Sequence, residues 1–238
     1  MKILVILFAV LFVAPSNVNA GKTDVIDYYQ QRYPLNDANE KLVDNHGDGN
    51  SNLYGARNFR VVLKGVVYRG GANNSYNKFG KRSNTNPLPS KGLENLCKEG
   101  FTDAVYLYEK HFSSAPHEID CKSVRGQSHL HYFQISPISD GQIKKIFSMV
   151  QQALDTQSKG PIYLHCWNGW HTSGLISALL LKQYCDVSSE QAVNYWNKNT
   201  DGNNGSDYGG FRTKIRNFQK LSEYSISPEL KRKICPSL

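Results

Sequence analysis

The residues best placed to do chemistry lie in one segment, Pro161-Ile-Tyr-Leu-His-Cys166-Trp-Asn-Gly-Trp-His-Thr-Ser173-Gly174. A short apolar run delivers Cys166 into a tight loop, and the loop leads directly into an apolar helix. Successive backbone N–H groups of such a loop can converge on one anion, and the helix N-terminus adds positive potential. The same field favours the ionised sulfur of Cys166. A thiolate beneath a ring of amide donors suits attack on phosphorus with formation of a phosphocysteine. A buried strand-end cysteine with a purely structural role is the competing reading.

The five cysteines sharpen that choice. Cys97, Cys121, Cys166, Cys185 and Cys235 are an odd number, and no C-x-x-C pair is present. Two bridges among Cys97, Cys121, Cys185 and Cys235 would leave Cys166 as a free thiol. Met1–Ala20 has one cation, Lys2, then the apolar run Ile3–Ala14 and the small-residue ending Val18-Asn19-Ala20. This pattern predicts a cleaved export signal, a mature chain from Gly21, and a periplasmic or secreted protein. The run is shorter than the roughly 20 residues needed to span a bilayer, so no transmembrane segment is expected.

The elements that must position Cys166 read as strands alternating with helices. Strands are expected at Phe59–Leu63, Val66–Tyr68, Ala104–Tyr108, Leu130–Ile135 and Pro161–Cys166, the first two forming a hairpin at Lys64-Gly65. Helices are expected after Ser90 as cap, over Gln142–Thr156, over Ser173–Cys185, from the Ser188/Gln191 capping box through Trp196, and as a last long helix carrying Phe211, Ile215 and Phe218. Gly21–Ala56, Asn73–Ser90 and the stretch before Leu130 have loop composition. The implied fold class is α/β, one central sheet flanked by helices with a helical C-terminal part.

Length and charge set the outer limits. The 238 residues are 39% hydrophobic and 20% charged, enough for a core and against wholesale disorder. No repeat of 20–50 residues suggests a solenoid. A formal net charge of +8 favours anionic or phosphorylated partners. Nucleic acid is not expected, because neither Tyr68–Tyr76 nor the basic Lys231-Arg232-Lys233 forms a recognised binding pattern. His129 and His131 share a strand face, but no third ligand stands at useful spacing, so neither a metal nor any cofactor is expected.

His165-Cys166, five residues, one position and then Ser173-Gly174 resembles the loop of the cysteine-dependent tyrosine and dual-specificity phosphatases. Gly65-Val-Val-Tyr-Arg-Gly-Gly71, Leu93–Tyr108 and Ile135–Gly141 resemble other parts of that superfamily, and the similarity covers roughly residues 57–220. The resemblance implies a dual-specificity-phosphatase-like domain over 57–222, following a polar extension at 21–56 and leaving a tail at 223–238. It also implies Cys166 as nucleophile, Asp140 as general acid, and Ser173 as the hydroxyl that steadies the departing thiolate. Trp167, Asn168, Gly169, Trp170, His171 and Thr172 would then bind substrate, and His165 would tune the loop. Helix capping is the alternative for Asp140 and Ser173, and core packing for Trp167 or Trp170.

Thr172 stands where active members of that superfamily have an arginine. A guanidinium there would grip two phosphoryl oxygens, whereas threonine offers one neutral hydroxyl. Arg69, Arg125, Arg212, Arg216 or His171 would have to supply the cation from elsewhere. The expected activity is a weakened or rewired phosphoester hydrolysis, with a catalytically silent anion-binding pseudophosphatase as the alternative.

Overall fold

The computed structural model describes residues 24–72, 87–137, 139–157 and 159–238. The leader Met1–Ala20 and most of the Asn73–Ser90 loop lie outside the described residues. Six strands form one sheet: β1 (Ala56–Leu63), β2 (Val67–Ala72), β3 (Asp103–Tyr106), β4 (Glu118–Ser123), β5 (Gly126–Gln134) and β6 (Ile162–Cys166), in the order β1-β2-β6-β3-β5-β4. The inner four run parallel, with β1 and β4 antiparallel at the two edges. Parallel strands are buried on both faces, which explains why Ile162–Cys166 is buried at every position.

Side chains alternate between two cores. Ile162, Leu164 and Cys166 join an aliphatic core with Val67 and Val105, while Tyr163 joins an aromatic core with Phe59, Tyr68, Tyr106 and Tyr132. The aliphatic face is covered by α3 (Asp140–Thr156), α4 (Thr172–Cys185), α5 (Ser189–Lys198), α6 (Gly209–Asn217) and α7 (Pro228–Ile234). The aromatic face is covered by α1 (Val25–Arg32) and α2 (Ser90–Lys98). The hairpin at Lys64-Gly65 forms as expected, with Gly65 at φ +77°. The Ser188/Gln191 capping box is also present.

Several expectations are corrected. The polar stretch 21–56 contains α1, started by Asp24 accepting from Ile26 N–H at 2.8 Å, and it buries Val25, Ile26 and Tyr29. The polar stretch before Leu130 contains β4, whose half-exposed pattern suits an edge strand. Pro89, rather than Ser90, is the cap of α2, and it makes no side-chain bond. Ser139 caps α3, so Asp140 is a first-turn residue and not the cap. The Phe211–Phe218 helix is short and is followed by α7 within the predicted tail. Its end is fastened by buried Lys182 of α4, whose ammonium donates to the carbonyls of Ile215 (2.7 Å) and Phe218 (2.8 Å). No described helix is long and apolar enough to cross a membrane.

Two disulfides form, Cys97–Cys121 from α2 to β4 and Cys185–Cys235 from the end of α4 to the end of α7. Cys166 is the free, buried thiol that the odd count requires.

Candidate active site

Parallel registers place Gly71 beside Cys166 and Tyr106 beside His165, so Cys166 ends a central strand. The loop after it lies against the backbone of β2. A Cβ on Gly71 would stand 2.6 Å from the Asn168 carbonyl carbon, and one on Gly169 would stand 2.6 Å from that of Gly70. Gly169 also has φ +75°, so glycine is required there for both approach and conformation. The Ala72 amide donates to the Trp167 carbonyl at 3.0 Å, and β1 grips the loop from behind. Arg57 donates to the Asn168 side chain, and Asn58 donates to the Asn168 carbonyl at 2.9 Å.

The Cys166 sulfur lies 3.4 Å from the hydroxyl of Ser173, which is fully buried in the first turn of α4. Ser173 is not the cap of that helix. His171 occupies the cap position and makes no side-chain bond to the first-turn amides, so that turn keeps its positive end clear of a capping side chain. The His171 Nε2–H instead donates to the Asn203 carbonyl at 2.6 Å, and its ring stacks on Tyr208 at 3.9 Å. Burial lowers its proton affinity. His171 is therefore a neutral anchor rather than a replacement cation.

His165 is fully buried on the aromatic face, 2.9 Å from the Tyr132 hydroxyl and 3.3 Å from the Cys166 carbonyl. Desolvation holds it down to about 3, so it is neutral and braces the strand end. Trp170 is anchored by a 3.0 Å bond from its indole N–H to Asp201 and by Arg57 over its ring, whereas Trp167 is 37% exposed. Of the two tryptophans, Trp167 is the one presented to solvent.

Thr172 lines an open cleft of about 400 Å³ together with Glu109, Pro137, Asp207, Phe211 and Lys214. Asp140 lies in an adjacent hollow of about 440 Å³, with its carboxylate 94% exposed and 3.8 Å from the Lys214 ammonium. Lys214 therefore borders both spaces. Three of the four arginines weighed from sequence are engaged elsewhere. Arg125 lies over Tyr28, Arg216 bonds Glu190 at 3.1 Å, and Arg212 donates to Asn204 and Gly205 carbonyls at 2.8 and 3.0 Å. Arg69 is buried behind α4, where a Cβ on Gly174 would stand 2.8 Å from its Nη1.

Sequence reasoning missed Arg57, Asn58, Glu109, Asp207 and Lys214. Two arginines and an asparagine inside a strand that otherwise reads as apolar, Arg57–Leu63, were the available signal for the first two. Lys214, three residues after Phe211 on an amphipathic helix, carried no comparable mark. The expectation that His129 and His131 lack a third ligand is also corrected, because Glu118 faces them from β4.

The sequence matches no known family profile and no curated protein. Solved structures do match its fold. P. aeruginosa TpbA, in complex with pTyr, is 13% identical, covering 64% of this chain and 87% of its own at a TM-score of 0.36. Tk-PTP in its active form is 15% identical, covering 67% and 96% at 0.44. The Siw14 catalytic core is 13% identical, covering 77% and 93% at 0.47.

Proposed function

We propose that this chain is an exported, phosphatase-like protein that binds a phosphorylated anion in the Cys166 loop and hydrolyses it slowly. The observation that carries the proposal is the free thiol of Cys166 at a central strand end, 3.4 Å from the Ser173 hydroxyl and before an α4 N-terminus with no capping side chain. The Cys166 thiolate attacks phosphorus, an S–P bond forms, and the P–O bond to the leaving alcohol breaks. The departing oxygen takes a proton from a carboxylic acid, and water then cleaves the S–P bond to release phosphate. Ser173 donates to the sulfur as it leaves. Trp167, Asn168, Gly169, Trp170, His171 and Thr172 shape the loop around the phosphoryl group.

Lys214 takes the electrostatic part that the loop arginine would otherwise play, since it lines the same cleft as Thr172. A single ammonium is a point charge, not a bidentate fork, so turnover is expected to be slow. Asp140, whose carboxylate lies 3.8 Å from the Lys214 ammonium, is the general acid that supplies the proton, with Glu109 and Asp207 of the cleft as the carboxylates to test beside it. The two disulfides suit an oxidising compartment, as does the export signal expected from the sequence.

Phosphate release from an aryl phosphate tests this. Cys166→Ser should reduce the rate by more than about 10³-fold while leaving anion binding intact. Lys214→Gln should reduce it by about 10²-fold, the scale of losing one transition-state donor. Equal rates in wild type and Cys166→Ser would overturn the catalytic proposal. The silent anion-binding reading is favoured by Thr172 at the arginine position. It predicts that phosphate binds wild type without release, and that Thr172→Arg adds affinity without turnover.

A further inference from the structure

We propose that the β4–β5 hairpin holds a divalent transition-metal site, made by His129, His131 and Glu118 and braced by Asp120. One ligand atom from each of the first three residues lies within 4.8 Å of the others. The register makes this more than chance proximity. Glu118 is directly opposite His131 and Asp120 directly opposite His129 in the antiparallel ladder, so all four side chains leave the same face. The intervening Leu130 is buried in the aromatic core on the other face. The two imidazoles sit 4.4 Å apart at 70°, edge to face, which brings ring nitrogens together without a stack.

Asp120 lies 2.7 Å from Nδ1 of His129. This is the arrangement in which an outer carboxylate fixes a ligating imidazole through its second nitrogen. Glu118 lies 3.9 Å from Nδ1 of His131, too far for a hydrogen bond. A tetrahedral ion with bonds of about 2.0–2.1 Å would separate its ligands by about 3.3 Å, so a small side-chain contraction closes the site. Two imidazoles and one carboxylate, with a solvent-facing fourth position, select Zn²⁺, Co²⁺, Ni²⁺ or Cu²⁺ over Mg²⁺ or Ca²⁺. β4 is one of the two edge strands, so an ion here would clip it to its neighbour. The site is separate from the Cys166 loop and does not depend on its activity.

Calorimetric titration of the purified chain with Zn²⁺ at neutral pH tests the proposal. One equivalent should bind, and Mg²⁺ should not compete. The double variant His129→Gln/His131→Gln should lose more than about 100-fold in affinity, and Asp120→Asn about 10-fold. With Co²⁺ the wild type should show the intense visible bands of a four-coordinate site, absent from the double variant. These side chains are exposed, so unchanged far-ultraviolet circular dichroism would show that the variants fold. No heat in wild type at millimolar Zn²⁺, or undiminished binding by a folded double variant, would overturn the proposal.

Discussion

The two faces of the sheet share six strands and carry one disulfide each, but they treat buried polar atoms differently. On the aromatic face the Tyr29 hydroxyl donates to the Glu99 carbonyl, that of Tyr33 to the Glu99 carboxylate, that of Tyr68 to the Tyr29 carbonyl and that of Tyr163 to Gly71. Glu99 also receives two bonds from Arg32. On the aliphatic face, among the described residues, Arg57 Nη1, Arg60 Nε, Arg69 Nε and Nη1 and the Tyr195 hydroxyl have no hydrogen-bond partner. Arg60 and Arg69 are cross-strand neighbours, and burial together with the Arg69 charge pushes Arg60 down to about 9. A fully satisfied network stabilises and fixes a structure, whereas buried guanidinium donors left without a partner cost stability. The face that tolerates this cost is also the face onto which Cys166 projects.

Removing the disulfides gives the largest expected effects. Chain entropy favours the longer closure, so losing Cys185–Cys235, 50 residues apart, should cost about 4 kcal/mol. Losing Cys97–Cys121, 24 residues apart, should cost about 3 kcal/mol. Urea unfolding of the paired Cys→Ser variants measures both, and a reversed order would mean that the aromatic face depends more on its bridge.

A charged residue on each face provides the next contrast. Glu99→Gln weakens bonds from Arg32 and Tyr33 and should cost about 2–3 kcal/mol. Arg69→Met removes a buried cation that has no paired carboxylate, so stability should change by less than about 1 kcal/mol in either direction. Equal losses in urea unfolding would erase the distinction between the two networks.

His165, on the aromatic face, adds a pH dependence. Its folded value of about 3 lies below the ordinary histidine value of about 6.5. Between these values the unfolded chain binds a proton that the folded chain refuses, so stability falls as pH drops through this window. The loss in urea midpoint between pH 7 and pH 5 should shrink in His165→Asn. An unchanged loss would mean that other groups dominate.

What the sequence disclosed follows the same division. The β6–loop–α4 segment was legible because its strand, glycine turn and apolar helix are local, and the free thiol followed from cysteine parity. Nonlocal partners were not legible. Arg57 reaches Asn168 across 111 positions, and Glu118 meets His131 only through register. α1 escaped because its buried face uses Tyr29 beside polar neighbours, and β4 because an edge strand has no apolar run. Capping, the alternative role weighed for Asp140, falls one residue earlier because Ser139 and Asp140 are both competent N-caps.

The smallest expected effect isolates one oxygen on each face. Tyr163→Phe removes the hydroxyl that donates to the Gly71 carbonyl at 2.9 Å, beside the glycine pair on which the Cys166 loop rests. That should cost about 1 kcal/mol, the net value of a buried neutral hydrogen bond. Tyr195→Phe removes a buried hydroxyl with no partner, which gives up no bond and relieves a desolvated polar group. It should be neutral or stabilising by a few tenths of a kcal/mol. Thermal unfolding of the two variants side by side reads the difference directly. If Tyr195→Phe destabilises as much as Tyr163→Phe, its hydroxyl has a partner in solution, and the polar deficit of the aliphatic face is smaller than its geometry indicates.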